Sequence, residues 1–202
     1  MRTFNPQQGK LDPMKNIIKS ALLATLFCFS FSSMASSKMA KGTYVPVKGT
    51  VETFTVSDPS QGEAPQQLGT YKIKLVNKDW KSLSGQERKT THRKIKVEGV
   101  LVGTIDPLTG LASHRLVGEK RDYTLRSEND VLIPQSGDFI CSGGTPLVIN
   151  EHINLVKGTG QFSNLHTGTI VLSGVVNNCP GSEDFGQNNL EIVPNQGGVT
   201  FN

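Results

Sequence analysis

The chain has 202 residues, 36% of them hydrophobic and 19% charged, with 21 glycines, 10 prolines and 3 cysteines. That balance excludes a collagenous, coiled-coil or wholly disordered chain, and the length excludes a large multidomain enzyme. The formal net charge of +4 reads as basic, but the amino-terminal segment carries most of the excess.

Residues Met14 to Ala35 read MKNIIKSALLATLFCFSFSSMA. Lys15 and Lys19 form a positive start, Ile17 to Phe31 an apolar core, and Ser33-Met34-Ala35 a small-residue end of the kind signal peptidase cuts. Met14-Lys15 is the natural start of such a signal, which makes residues 1–13 an extension ahead of it. The apolar core is shorter than the ~20 residues of a comfortable span, and no second one follows. The expectation is a cleaved signal within 1–35, a secreted or periplasmic domain over 36–202, and no membrane span after cleavage. Cys28 follows Phe27, where lipoprotein processing needs a small residue. Cleavage removes Arg2, Lys10, Lys15 and Lys19 against Asp12 and lowers the net charge from +4 to +1. Global charge is therefore no argument for nucleic-acid or membrane binding. Cys28 leaves with the signal. Cys141 and Cys179 remain, an even pair in an oxidising compartment, and are expected to form a disulfide.

The mature chain reads with a period of two. Phe54 and Val56 alternate with Thr53 and Thr55, so the two apolar side chains are expected to face inward. A polar loop covers 57–68. Tyr71, Ile73 and Leu75 then alternate with Lys72 and Lys74. One short helix is expected within Lys81 to Thr91. The densest basic run, Arg88 to Lys96, reads as a solvated loop and a lysine-protected strand edge. Its sharper alternative is a site for an anionic glycan, lipid headgroup or nucleic acid, although no aromatics interleave for base stacking. Ile95 and Val97 open a strand that continues through Val100-Leu101-Val102 to Ile105. Asp106-Pro107-Leu108-Thr109-Gly110 is a turn. Val131-Leu132-Ile133, Leu147-Val148-Ile149 and Ile170-Val171-Leu172 are apolar in both phases and read as central strands covered on both sides. A second polar loop, 177–189, is tied down through Cys179. Gly-Thr pairs at 42, 49, 69, 103, 144, 158 and 168 punctuate the chain. The expected fold is all-β, a single antiparallel, meander-like β-barrel of about eight strands with little helix.

Lys157-Gly158-Thr159-Gly160-Gln161-Phe162, followed by Gly168-Thr169-Ile170 and Gly174-Val175-Val176, resembles the allene oxide cyclase-like and dirigent-like β-barrels. With strands near His114–Val117, Tyr123–Leu125 and Val131–Ile133, the chain looks like a secreted bacterial relative of them. The resemblance implies a barrel with an apolar pocket. It carries no catalytic residue over to this chain.

Chemistry-bearing residues are sparse. Gly158 to Ser163 (GTGQFS) lacks the third glycine of a dinucleotide fingerprint, and no GxSxG, P-loop or HExxH occurs. His92, His114, His152 and His166 are expected to be exposed or internally hydrogen-bonded. Glu98, Glu119, Asp122, Glu128, Asp130 and Asp138 are expected to face solvent. No catalytic residue, cofactor or metal is assigned. The leading expectation is a non-enzymatic barrel that binds a small hydrophobic ligand or a surface partner, and no nucleic acid. One alternative is a cyclase or dirigent-like enzyme, which an open lumen lined by two buried carboxylates would favour. The other is a structural or adhesive exported domain, which a filled lumen and an exposed apolar patch would favour.

Overall fold

The computed structural model describes residues 39–57 and 62–202, so the expected signal segment lies outside the described residues. The strands are β1 (Gly42–Thr55), β2 (Gln66–Asn77), β3 (Lys94–Ile105), β4 (Ala112–Gly118), β5 (Thr124–Ser127), β6 (Val131–Ser136), β7 (Leu147–Gly158), β8 (Leu165–Val176) and β9 (Gln187–Phe201). All pairings between them are antiparallel, in the order β5-β4-β3-β2-β1-β9-β8-β7-β6. A further β5–β7 pairing closes eight strands into a barrel and leaves β6 as an extra strand. Apart from β5 and β6, strands that follow one another in sequence lie side by side, as sequential antiparallel connections favour. One helix, α1 (Gly85–Thr90), joins β2 to β3; Ser84 and Glu87 close it with a reciprocal capping box.

Alternation supplies the lumen. Tyr71, Ile73 and Leu75 point inward from β2, and Ile95, Val97 and Leu101 from β3, while the intervening lysines face out. At one end Tyr44, Phe201, Phe162 and Tyr123 form a chain of rings with successive centroids 5.6, 5.7 and 4.8 Å apart. Phe162 closes a 3-10 turn that begins at Gly160, whose φ of +59° suits glycine. Cys141 and Cys179 form the expected disulfide, with Cα atoms 5.1 Å apart, between the β6–β7 and β8–β9 loops.

β1 reverses one expectation. Thr53 is buried, whereas Phe54 is 51% and Val56 56% exposed. The cause is a bulge at Val47: Pro46 faces Leu75, but the next paired residue, Lys48, faces Lys74. In an unbroken strand Tyr44, Pro46, Lys48, Glu52 and Phe54 would share one face. The extra residue flips the phase and keeps Lys48 and Glu52 in water. Exposing one phenylalanine forgoes about 1.5–3 kcal/mol, less than the desolvation of two unpaired charges.

β6 departs as well. Val131 and Ile133 are 41% and 38% exposed, because β6 pairs only with β7, outside the closed barrel. Pro134, which has no amide to donate, suits such an outer strand. Leu147, Val148 and Ile149 alternate between buried and half-buried, whereas Ile170, Val171 and Leu172 are all buried at a register shift opposite β9.

Candidate functional site

The lumen has a polar end. β5 and β6 pair with successive stretches of β7, and Glu128, Asn129 and Asp130 break the line between them. Asn129 turns the chain with φ +55°, a conformation asparagine tolerates. Asn154 of β7 staples the break: its carbonyl accepts from the Glu128 amide at 3.1 Å, and its side-chain amide donates to the Asn129 carbonyl at 2.9 Å. The result is to aim Asp130 into the barrel, fully buried. The expectation that Asp130 is solvated is therefore corrected.

Asp130 meets His114 of β4 and Ser127 of β5. Its Oδ2 accepts from His114 Nδ1 at 2.7 Å and from the Ser127 hydroxyl, and its Oδ1 accepts from the Asn154 amide at 2.6 Å. Ser127 Oγ also accepts from the His114 amide at 2.8 Å. Across the ring, His114 Nε2 lies 3.6 Å from Glu151 Oε1 of β7, an ion-pair distance but too long for a hydrogen bond. A Cβ at Gly103 would come within 2.8 Å of the His114 ring, so a glycine there makes room for the imidazole.

Two carboxylates around one imidazole in a closed core retain protons. Burial opposes a charge on His114, but the Asp130 hydrogen bond and the charges of Glu151 and Asp130 outweigh it and raise the histidine above its ordinary value. Burial pushes Glu151 up; the His114 charge opposes this and the Asp130 charge adds to it. The three groups present ligand atoms within 4.8 Å of one another. Asp130, however, spends its oxygens on three donors within the protein. His114 Nε2 and Glu151 remain, fewer than the three protein ligands of a typical catalytic zinc site. The cluster fits a proton-holding polar network better than a metal centre.

Little space adjoins it on the lumen side, whereas on the outer side His114 and Ser127 border an open groove of ≈ 400 Å³ with Arg115, Arg126 and Lys157. The void beside His114 and Glu151 measures ≈ 10 Å³, about the room of one water. Nearby Thr53 donates to Gln67 at 3.3 Å and accepts from Asn188 at 3.2 Å.

The other candidates scatter. Asp138 caps its own loop by accepting from the Ile140 and Ser142 amides at 2.9 and 3.1 Å. Glu98 pairs with Lys96 at 2.7 Å, and Glu128 with Arg126 at 2.9 Å. Within the basic run Arg88 serves α1, donating to the carbonyls of Trp80 and Lys81. The phase of the strands carries the missed signal. His114 alternates in step with Ala112 and Leu116, and Glu151 with Ile149 and Ile153, so each polar residue occupies an apolar slot.

The outer surface is built differently. Phe54 faces Leu68, Leu68 faces Val102, Val102 faces Arg115, Arg115 faces Arg126 and Arg126 faces Lys157. All six are exposed. One lateral row thus runs across six strands, apolar over its first half and cationic over its second. Among the described residues no helix is long and apolar enough to cross a membrane. The chain matches no family model, no curated protein and no solved structure.

Proposed function

We propose that the protein is an exported, non-catalytic binding module that engages a partner at the cell surface through the outside of its barrel. The observation that carries this reading is the lateral row of Phe54, Leu68 and Val102, exposed apolar side chains in register on three neighbouring strands. Contiguous exposed apolar surface rimmed by polar groups is the usual mark of an interaction site. The small void at the polar end of the lumen supports the same reading. Small-molecule sites have volumes of about 300–1,000 Å³, against ≈ 10 Å³ on the lumen side of the polar cluster. That difference weighs against a small hydrophobic ligand in the lumen and against a cyclase-like substrate beside the two buried carboxylates. The Cys141–Cys179 disulfide agrees with an exported chain.

The test uses the full-length, disulfide-intact protein and isolated bacterial envelopes. Saturable binding that falls in the Phe54→Ser/Leu68→Ser double variant, with an unchanged thermal transition, is the expected result. A lipophilic fluorescent dye bound stoichiometrically and excluded by a Leu101→Trp variant would overturn it in favour of a lumen ligand. Envelope binding untouched by the double variant would overturn the assignment of the surface.

A further inference from the structure

On the same barrel, six residues along β3 from Val102, a second lateral row is made entirely of lysines. Lys48 of β1 lies opposite Lys74 of β2, and Lys74 opposite Lys96 of β3. All three side chains are exposed. Lys72 and Lys94 flank them, and the five lysines line one open groove whose lining includes no acidic residue. Glu98 stands at the margin, held by Lys96 at 2.7 Å.

Such a row needs a reason, because like charges directly opposite across a ladder destabilise a sheet. Edge protection explains part of it. β1 has no β9 partner between Tyr44 and Thr50, and β3 has no β4 partner before Gly99, so Lys48 and Lys96 stand on locally open edges; Lys74 of β2 is paired on both sides and has no edge to guard. General solubility does not explain the rest, because scattered lysines serve it equally well and without repulsion. The bulge at Val47 deepens the point, since it is the feature that turns Lys48 outward into line with Lys74 and Lys96.

We infer that the Lys48–Lys74–Lys96 row is a binding site for a linear acidic polysaccharide laid across the strands. Neighbouring strands are spaced about 4.8 Å apart, close to the length of one sugar residue, so successive ammonium groups meet successive carboxylates or sulfates. Lysine suits these as a mobile point charge, without the fixed fork that arginine presents to phosphate. No aromatic side chain lines the groove for stacking bases, and its apolar members, Ile73 and Ile95, are buried beneath the sheet with nothing to insert into a bilayer. The inference shares with the proposed function only the premise that the exterior binds, and it concerns a different row.

The experiment measures binding of the intact protein to heparin and to polygalacturonate, the sulfated and carboxylated probes, at low and at physiological salt. Replacing Lys48, Lys74 and Lys96 by Gln is expected to weaken binding about tenfold and to flatten its salt dependence, as loss of three ionic contacts requires. A control triple at the exposed Lys81, Lys89 and Lys120 is expected to change it by less than about twofold. Glu98→Gln is expected to tighten binding. Equal losses in the two triples would overturn the site in favour of net charge. Binding to anionic phospholipid vesicles but to neither polymer would overturn the polysaccharide, and binding to none of the probes would overturn the inference outright. The thermal transition of the Lys→Gln triple is measured beside its binding and is expected to match the parent's, because relief of repulsion offsets loss of the exposed Lys96–Glu98 pair, so misfolding cannot imitate the expected loss. Envelope binding through the Phe54 row is measured separately with its own variants, so failure here leaves that reading standing.

Discussion

Replacing Lys74 by Thr is expected to stabilise the protein. Lys74 lies directly between Lys48 and Lys96, so one substitution removes two opposed like-charge pairs. Each such pair is worth roughly 0.2–1 kcal/mol, and exposure to solvent places these toward the lower end. The sum is about 0.5–1 kcal/mol. The β-branched threonine adds to the gain, whereas loss of the lysine stem over the sheet subtracts from it. For a slope of about 2 kcal/mol per molar urea, the midpoint should rise by about 0.3–0.5 M. Urea is the right denaturant because guanidinium is itself a screening salt. At about 10 mM ionic strength the screening length is roughly 30 Å and the gain should be full, whereas at 1 M it contracts to roughly 3 Å and most of the gain should vanish. A midpoint that stays put or falls at low salt would refute the repulsion argument, and with it the claim that the row is kept against a stability cost. A gain of the same size at both salts would refute the electrostatic cause.

The buried cluster sets the pH dependence. Both His114 and Glu151 have raised values in the folded state, so the native protein holds more protons than the unfolded chain and stability should fall as pH rises. The Glu151 contribution starts to be lost above its unfolded value of 4.5 and the His114 contribution above 6.5, each continuing through the higher folded value. Surface carboxylates with lowered values, Asp106 and the half-buried Asp138 among them, act in the opposite sense at acid pH, so the test belongs between about pH 5 and 8. Urea midpoints should decline across that range, and Glu151→Gln should remove the part that Glu151 supplies. A flat or rising profile in the parent would contradict the assignment. The Cys141→Ser/Cys179→Ser variant opens a bridge of sequence separation 38, and calorimetry should show a loss of about 2–4 kcal/mol. A thermal transition unmoved from the parent would mean that the two loops hold together without the bond.

Much of the fold was legible because it rests on local rules. Strict alternation at Tyr71–Leu75 and Ile95–Val97 can only bury one face of a strand, and a turn such as Asp106–Gly110 makes the strands on either side of it neighbours in the sheet. Two cysteines surviving the expected cleavage left few alternatives for Cys141 and Cys179. Phe162 was readable as core from the glycine-rich turn before it. The polar cluster was half visible: His114 and Glu151 occupy apolar phases, but nothing local to Asp130 announces that Asn129 will turn it inward.

What the amino-acid sequence determined by itself was therefore the kind of element and its order, an antiparallel run of two-faced strands with a bonded pair of loops. Tertiary structure decided which face went inside and what met across the ladders. Period-two alternation defines two faces without choosing between them, and in β1 one extra residue at Val47, placed by the pairing with β2, made the choice. The same long-range register aligned Lys48, Lys74 and Lys96, brought Glu151 to His114, and left Phe54, Leu68 and Val102 side by side in water. Each of those meetings joins residues on different strands: register between neighbouring strands makes the two surface rows, and closure of the barrel brings β7 with Glu151 to β4 with His114.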